Sequence, residues 1–154
     1  MKKSIKFDVN GKPPQKSEWS ENKTAIQIIN LRETALKART KAGMNKCFTS
    51  PVKMKLTVYA PNIDKQEYKQ KGDDDENRYV GDLDNLVAGI CDCLGASKTK
   101  PGENNFAPSK LFDDKPEIRP EIPIIIQDDS QIVSIRAKKK QSSKLHYIVQ
   151  IRLD

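Results

Sequence analysis

The chain has 154 residues, 36% of them hydrophobic and 32% charged, with a formal net charge of +7. That length suits one domain with a compact core, and no apolar run approaches the roughly 20 residues that span a bilayer. The basic start "MKKSIKFDVNG" lacks a following apolar stretch of about 7–15 residues, so no secretory leader is expected, and Cys47, Cys91 and Cys93, without paired zinc spacing, read as free thiols of a reducing cytoplasm.

In chain order, "SIKFDV" (4–9) alternates like an edge strand and is broken by "NGKPP". "ENKTAIQIINLRETALKARTKAG" (21–43) places apolar residues at 25, 26, 28, 29, 31, 35 and 36, a helical spacing for which Gly43 is a natural stop. "PVKMKLTVYAPN" (51–62) alternates through Val52, Met54, Leu56 and Val58, so one face of a strand is buried. The polar segment 63–80, with Asp73, Asp74 and Asp75, reads as a solvated acidic loop. "DLDNLVAGICDCLGA" (82–96) sets Leu83, Leu86, Val87, Ile90 and Leu94 on one face of a second helix. Residues 97–127 hold five of the nine prolines and read as a long irregular insertion. "QIVSIRAKKK" (131–140) and "KLHYIVQIRLD" (144–154) then predict two antiparallel strands joined by the polar turn "QSS". The order β-α-β-α-β-β makes residues 1–154 a single α/β (α+β) domain, a small mixed sheet with two main helices.

Charge is spread unevenly along this chain. Residues 1–65 carry fourteen Lys/Arg against five acids, residues 66–129 eight against fifteen, and residues 130–154 six against one. Basic flanks around an acidic middle suit a protein that holds a polyanion and presents carboxylates to it, although a solubilising surface would have the same composition.

Two acidic spots need explanation: Asp82 and Asp84 at the mouth of the second helix, and Asp128-Asp129 before the next strand. Each has an ordinary structural explanation, because Asp84 suits an N-cap or first-turn position and Asp128-Asp129 suits a turn. If the strand after Asp129 runs beside residues 78–84, three carboxylates converge and repel one another unless a hard cation neutralises them. Oxygen-only ligands indicate Mg²⁺, or Mn²⁺. Such a cation, facing basic flanks, stabilises the charge that develops during phosphodiester hydrolysis.

"DLDNL" (82–86), the helix continuing to "DCLG" (92–95), and "DDSQIV" (128–133) together resemble the RusA family of Holliday junction resolvases. The resemblance extends to the opening strand with Pro13-Pro14, the long helix, the "PVKMKLTVYAP" strand and the closing strands, and leaves out 63–80 and 97–127. It implies a homodimeric, Mg²⁺-dependent endonuclease that nicks four-way DNA junctions symmetrically in recombination and repair, in the cytoplasm and away from membranes. The family's metal-binding, catalytic carboxylates correspond to Asp82, Asp84 and Asp129, with Asn85 and Asp128 in supporting positions and Lys16 among DNA-contacting residues. One departure stands out: the family carries a lysine four residues after the second Asp, where this chain has Ala88. Lys98, Lys100, Arg136 and Lys138 are candidates to substitute for it and to contact DNA; without a substitute, the chain would be a weak or inactive branched-DNA-binding module. A protein-interaction domain using the acidic loop and the insertion is a third reading. Trp19 and Tyr79 could stack on unpaired bases or pack as loop anchors, and His146 reads as a strand histidine rather than a catalytic base.

Overall fold

A computed structural model describes residues 3–15, 18–61, 63 and 80–154 of the chain. Strand β1 (Ser4–Asn10) alternates exposed and buried residues, burying Ile5, Phe7 and Val9 on one side. Helix α1 (Asn22–Lys41) buries Ala25, Ile28, Ile29, Leu31 and Ala35 against the sheet. Gly43, at φ 78°, lets the chain turn away while its N–H donates to Thr40 O and that of Met44 to Arg39 O, a glycine-assisted helix end. Strand β2 (Val52–Ala60) is buried along most of its length, Thr57 on the opposite face included. Helix α2 (Leu83–Leu94) is strongly amphipathic and buries Leu86, Ile90, Cys91, Cys93 and Leu94.

Strands β3 (Ile132–Gln141) and β4 (His146–Leu153) complete a four-stranded sheet in the order β1-β4-β2-β3. The hairpin expected between the last two strands is therefore split: β2 lies between them, antiparallel to β4 and parallel to β3. The intervening turn passes over the end of β2, where Ser142 N–H donates to Ala60 O at 3.1 Å. Side-chain chemistry accounts for the exchange. The apolar β2 is suited to a central position enclosed from both edges, whereas a strand carrying Arg136 and Lys138–Lys140 keeps its charges in water only at an edge.

Residues 97–127 are irregular, with short 3₁₀ turns at Glu103–Asn105, Lys110–Phe112 and Pro116–Ile118. They nevertheless contribute Phe112, Ile118 and Ile124–Ile126 to the hydrophobic core. Backbone bonds tie this segment down, Ile125 N–H to Leu94 O at 2.9 Å and Phe48 N–H to Ile125 O at 2.8 Å.

The fastening between α1, α2 and this segment is Arg32, which is fully buried. Its Nε donates to Ile118 O at 3.0 Å, Nη1 to Cys93 O and Gly95 O at 2.8 Å each, and Nη2 to Arg119 O at 2.7 Å and to Ile122 O. All five guanidinium donors are used, and the Trp19 ring lies 5.0 Å from the guanidinium carbon. Desolvation lowers the Arg32 pKa to about 10, so the group stays charged at neutral pH at the negative end of the α2 dipole. No helix among the described residues is long and apolar enough to cross a membrane.

Candidate functional site

Asp82 is the N-cap residue of α2, with an extended backbone (φ −72°, ψ 141°) and its carbonyl accepting Leu86 N–H at 3.0 Å. Asp84 lies in the first turn rather than at the cap, and Asp82, Asp84 and Asn85 are all exposed. The positive end of the α2 dipole favours both carboxylates. Behind them the chain is pinned tightly. Gly81 adopts φ 108° against the Gln15 side chain, whose Nε2 donates to Val80 O at 3.3 Å. At Gly89 a Cβ would collide with Pro14 O, so the Pro13-Pro14 loop rests directly on the helix backbone and walls the acidic mouth.

The second acidic spot is built differently. Asp128 caps the 3₁₀ turn Asp129–Gln131, its Oδ2 accepting Ser130 N–H at 3.1 Å, and hydrogen bonds from the Ser130 side chain and backbone hold its carboxyl below the usual range. Gln131 completes a capping box: its Oε1 accepts Gln127 N–H at 2.7 Å and Asp128 N–H at 3.0 Å. Its Nε2 donates to Phe48 O at 2.9 Å and Ser50 O at 3.1 Å, which ties the turn to the entry of β2. Asp129 is left half-exposed, with Lys98 Nζ at 3.8 Å from its Oδ2.

Asp128 and Asp129 line a cleft of about 390 Å³ together with Asp92, Lys98, Trp19 and Phe106. Asp92, on α2, is thus the helix acid that shares a cleft with Asp129. Asp84 precedes it by eight residues, about 12 Å along the helix axis at 1.5 Å per residue. Among the described residues no group of three His, Cys, Asp or Glu stands close enough to hold one metal ion. The donor set still suits a hard cation, because it offers carboxylate oxygens in pairs, and Mg²⁺ is commonly held by one or two carboxylates with waters and substrate phosphates completing its shell. The cysteines are not donors: all three are buried and free, and burial pushes the Cys91 thiol up to about 12.

The candidate cations separate by face. Ala88 is exposed on α2, between Asp84 and Asp92 along the helix. Arg136 and Lys138 pair across from Lys55 and Thr57, so strand alternation points them to the face of the sheet away from α2. Lys139 points the other way, beside Val58, and its charge interacts with that of Asp82. Burial holds the Lys139 ammonium below its usual range and the Asp82 carboxylate opposes that shift. Lys98 reaches Asp129, Lys100 is exposed beyond the cleft lining, and Lys16 lies outside the described residues, as do Tyr79 and Asp73–Asp75. Trp19 is 5% exposed and packs on Arg32 and Phe112, which is a core role. His146 bonds Asp8 at 2.8 Å and stacks on Tyr59 on the face opposite the helices.

Sequence reasoning missed Arg32 and Gln131; Asp92 stands out in the sequence as a third carboxylate of the apolar 78–97 stretch, and Lys139 as part of the basic run 138–140 suited to phosphate contacts or a solvated hairpin end. Arg32 carried a signal, a charge set among the apolar helical positions 28, 29, 31 and 35. Within the run 138–140 only the register of β3 distinguishes Lys139 from its neighbours.

No sequence among curated proteins matches the chain. Residues 11–100, more than half of the chain, match the family model described as endodeoxyribonuclease RusA. That match takes in the Pro13-Pro14 loop, α1, β2, the acidic mouth and α2, and it stops short of Asp128-Asp129. The matched part of the fold is thus α1, the central strand β2, and a helix whose mouth carries Asp82, Asp84 and Asn85 under a proline loop, and the chain belongs to the RusA endodeoxyribonuclease family.

Proposed function

We propose that this chain is a Mg²⁺-dependent endonuclease that acts as a homodimer in the cytoplasm and resolves four-way DNA junctions by paired, symmetric nicks. The observation that carries this reading is the family match across the acidic mouth, because it includes the Asp82 and Asp84 positions together with the structure that presents them. In this reading Asp82, Asp84 and Asp129 are the metal-binding, catalytic carboxylates, with Asn85 and Asp128 positioning them. A bound divalent cation supplies Lewis-acid stabilisation of the phosphoryl oxygens and the leaving oxygen. The positive end of the α2 dipole favours negative charge at this mouth, and the Pro13-Pro14 loop packs directly on the backbone of the same helix at Gly89. Two opposed nicks require two sites, which a two-fold dimer supplies.

Lys139 is the proposed substitute for the missing helix lysine, since the register of β3 sets it beside Val58 on the helix side of the sheet, where its charge interacts with that of Asp82. A catalytically weak, branched-DNA-binding relative is the second reading, and exposed Ala88 favours it. Incubating a labelled four-way junction with the chain in Mg²⁺ or Mn²⁺, beside a linear duplex, decides between them. Paired junction nicks are expected, lost in Asp84→Asn and reduced roughly 10²–10³-fold in Lys139→Gln, the range for removal of one stabilising group. Tight binding without nicks, converted to cutting by Ala88→Lys, would establish the second reading.

A further inference from the structure

Among the described residues no helix packs on the far face of the sheet, and most of the charged side chains there are cationic. Cross-strand register sets Lys6, Gln150, Lys55 and Arg136 in one row across all four strands, and Ser4, Arg152, Lys53 and Ser134 in the next. Lys138 and Lys140 extend the pattern along β3. A shallow groove of about 360 Å³ runs between Lys53, Lys55, Ser134, Arg136, Gln150 and Arg152.

Seven cations thus share this face with one acid within its rows, Asp8, which His146 already holds at 2.8 Å. Asp154 at the end of the sheet pairs with Lys53 at 3.4 Å. Among the described residues no acid forms an ion pair with Lys6, Lys55, Arg136, Lys138, Lys140 or Arg152. Like charges crowd one another here: the neighbouring Lys140, and after it Lys55, hold the Lys138 ammonium below its usual range.

We propose that this open sheet face is a docking surface for the phosphate backbone of nucleic acid, which receives one arm of a branched substrate. The inference rests on the chain acting on DNA, though not on its cutting DNA. Charge complementarity selects the occupant. A second copy of the same face would bring two cationic surfaces together, whereas a polyanion neutralises them and releases its counterions. Cations on one strand recur every second residue, about 6.6 Å apart, close to two charge steps of roughly 3.4 Å on one strand of duplex DNA. The surface is also continuous with the candidate site around one edge. In the C-terminal half of β3, Lys138 and Lys140 face the groove side and Lys139 faces Asp82. An arm laid on the open face therefore leaves the junction centre at the β3 edge, from which a second arm reaches the α2 side.

The test is fluorescence anisotropy with a labelled duplex and a labelled four-way junction, in EDTA to prevent cleavage, across a salt series. Lys55→Gln/Arg136→Gln/Lys138→Gln is compared with wild type and with Lys37→Gln/Lys41→Gln/Lys46→Gln, which removes as many charges elsewhere. The sheet-face variant is expected to lose roughly tenfold or more in affinity, with the salt slope falling by about 0.9 per lost phosphate contact. The control variant is expected to bind as wild type does. A conservative Lys55→Arg/Arg136→Lys variant, which keeps the charge, is expected to retain binding and guards against misfolding as the explanation. Equal affinity and slope in sheet-face variant and wild type would overturn the inference while leaving junction cleavage intact as a reading. Absence of wild-type binding to either DNA at low salt would overturn both. Loss of a dimer in the sheet-face variant, seen by sedimentation with DNA affinity unchanged, would assign the face to a second copy instead.

Discussion

Arg32 shows how one side chain fixes the relation of three segments. Its guanidinium satisfies carbonyls at the end of α2 and in the 118–122 stretch, groups that would otherwise be buried without donors. Lysine keeps the charge but offers three donors from one point, so Arg32→Lys leaves at least two carbonyls unpaired. Unsatisfied buried groups cost about 1–3 kcal/mol each. Arg32→Lys is therefore expected to lower the urea unfolding free energy by roughly 2–5 kcal/mol, read from the midpoint at constant m-value. An unchanged midpoint would mean that water replaces the lost donors. Gly89 has the opposite character: its contribution is the absence of a Cβ, which lets Pro14 O approach the helix.

At the scale of elements, the turn before β3 has its own electrostatics. Asp128 is depressed below its ordinary value of 3.8 by hydrogen bonds from Ser130. The sign follows directly: a carboxyl with a lowered folded-state pKa stabilises the fold above 3.8, and that contribution disappears as pH falls through the lowered value. Wild type and Asp128→Ala should thus differ in urea midpoint at about pH 7 and approach each other toward about pH 3. A gap that stays constant across this range would place the stabilisation in the Gln131 bonds instead. Helix α2 and strand β3 divide their labour along their length. The Asp82 charge at the α2 N-terminus interacts with that of Lys139, and Asp92, in the C-terminal half of the helix, lines one cleft with the Asp128-Asp129 turn.

For the whole molecule, the consequence of the fold is two chemically distinct faces on one sheet. The helix side carries the candidate carboxylates with Lys98 and Lys139 beside them, the other side carries seven cations with Asp8 as the acid within its rows, and β3 forms the rim between them. The proline-rich stretch contributes to the stability of this arrangement because Phe112 is fully buried against Trp19, with ring centroids 6.0 Å apart. Phe112→Ala should destabilise the protein by about 3–5 kcal/mol, as for other buried aromatic truncations. A loss under about 1 kcal/mol would mark the stretch as an appendage outside the cooperative unit.

Much of this architecture was legible from local patterns. The 3.6-residue spacing of α1 and α2, the alternation of β1 and β2, and the glycine stop at Gly43 each follow from chemistry within one segment. The acidic motif at 82–86 was legible too, because an unusual density of carboxylates at a helix start shows in the primary structure. Strand neighbours were not: β3 and β4 are joined by a short turn, yet β2 separates them, and only competition for the centre of the sheet decides that. The same register decides which lysine of 138–140 faces Asp82 and which face the groove. Long-range partners of Arg32 and Gln131 were equally invisible, since contacts across 60 or more residues leave no local period. The sequence by itself determined the elements and the identity of the acidic groups, because propensity and periodicity act over a few residues. Tertiary structure alone decided strand order, cleft membership and the gathering of seven cations on one face of the sheet, because those depend on packing between distant segments.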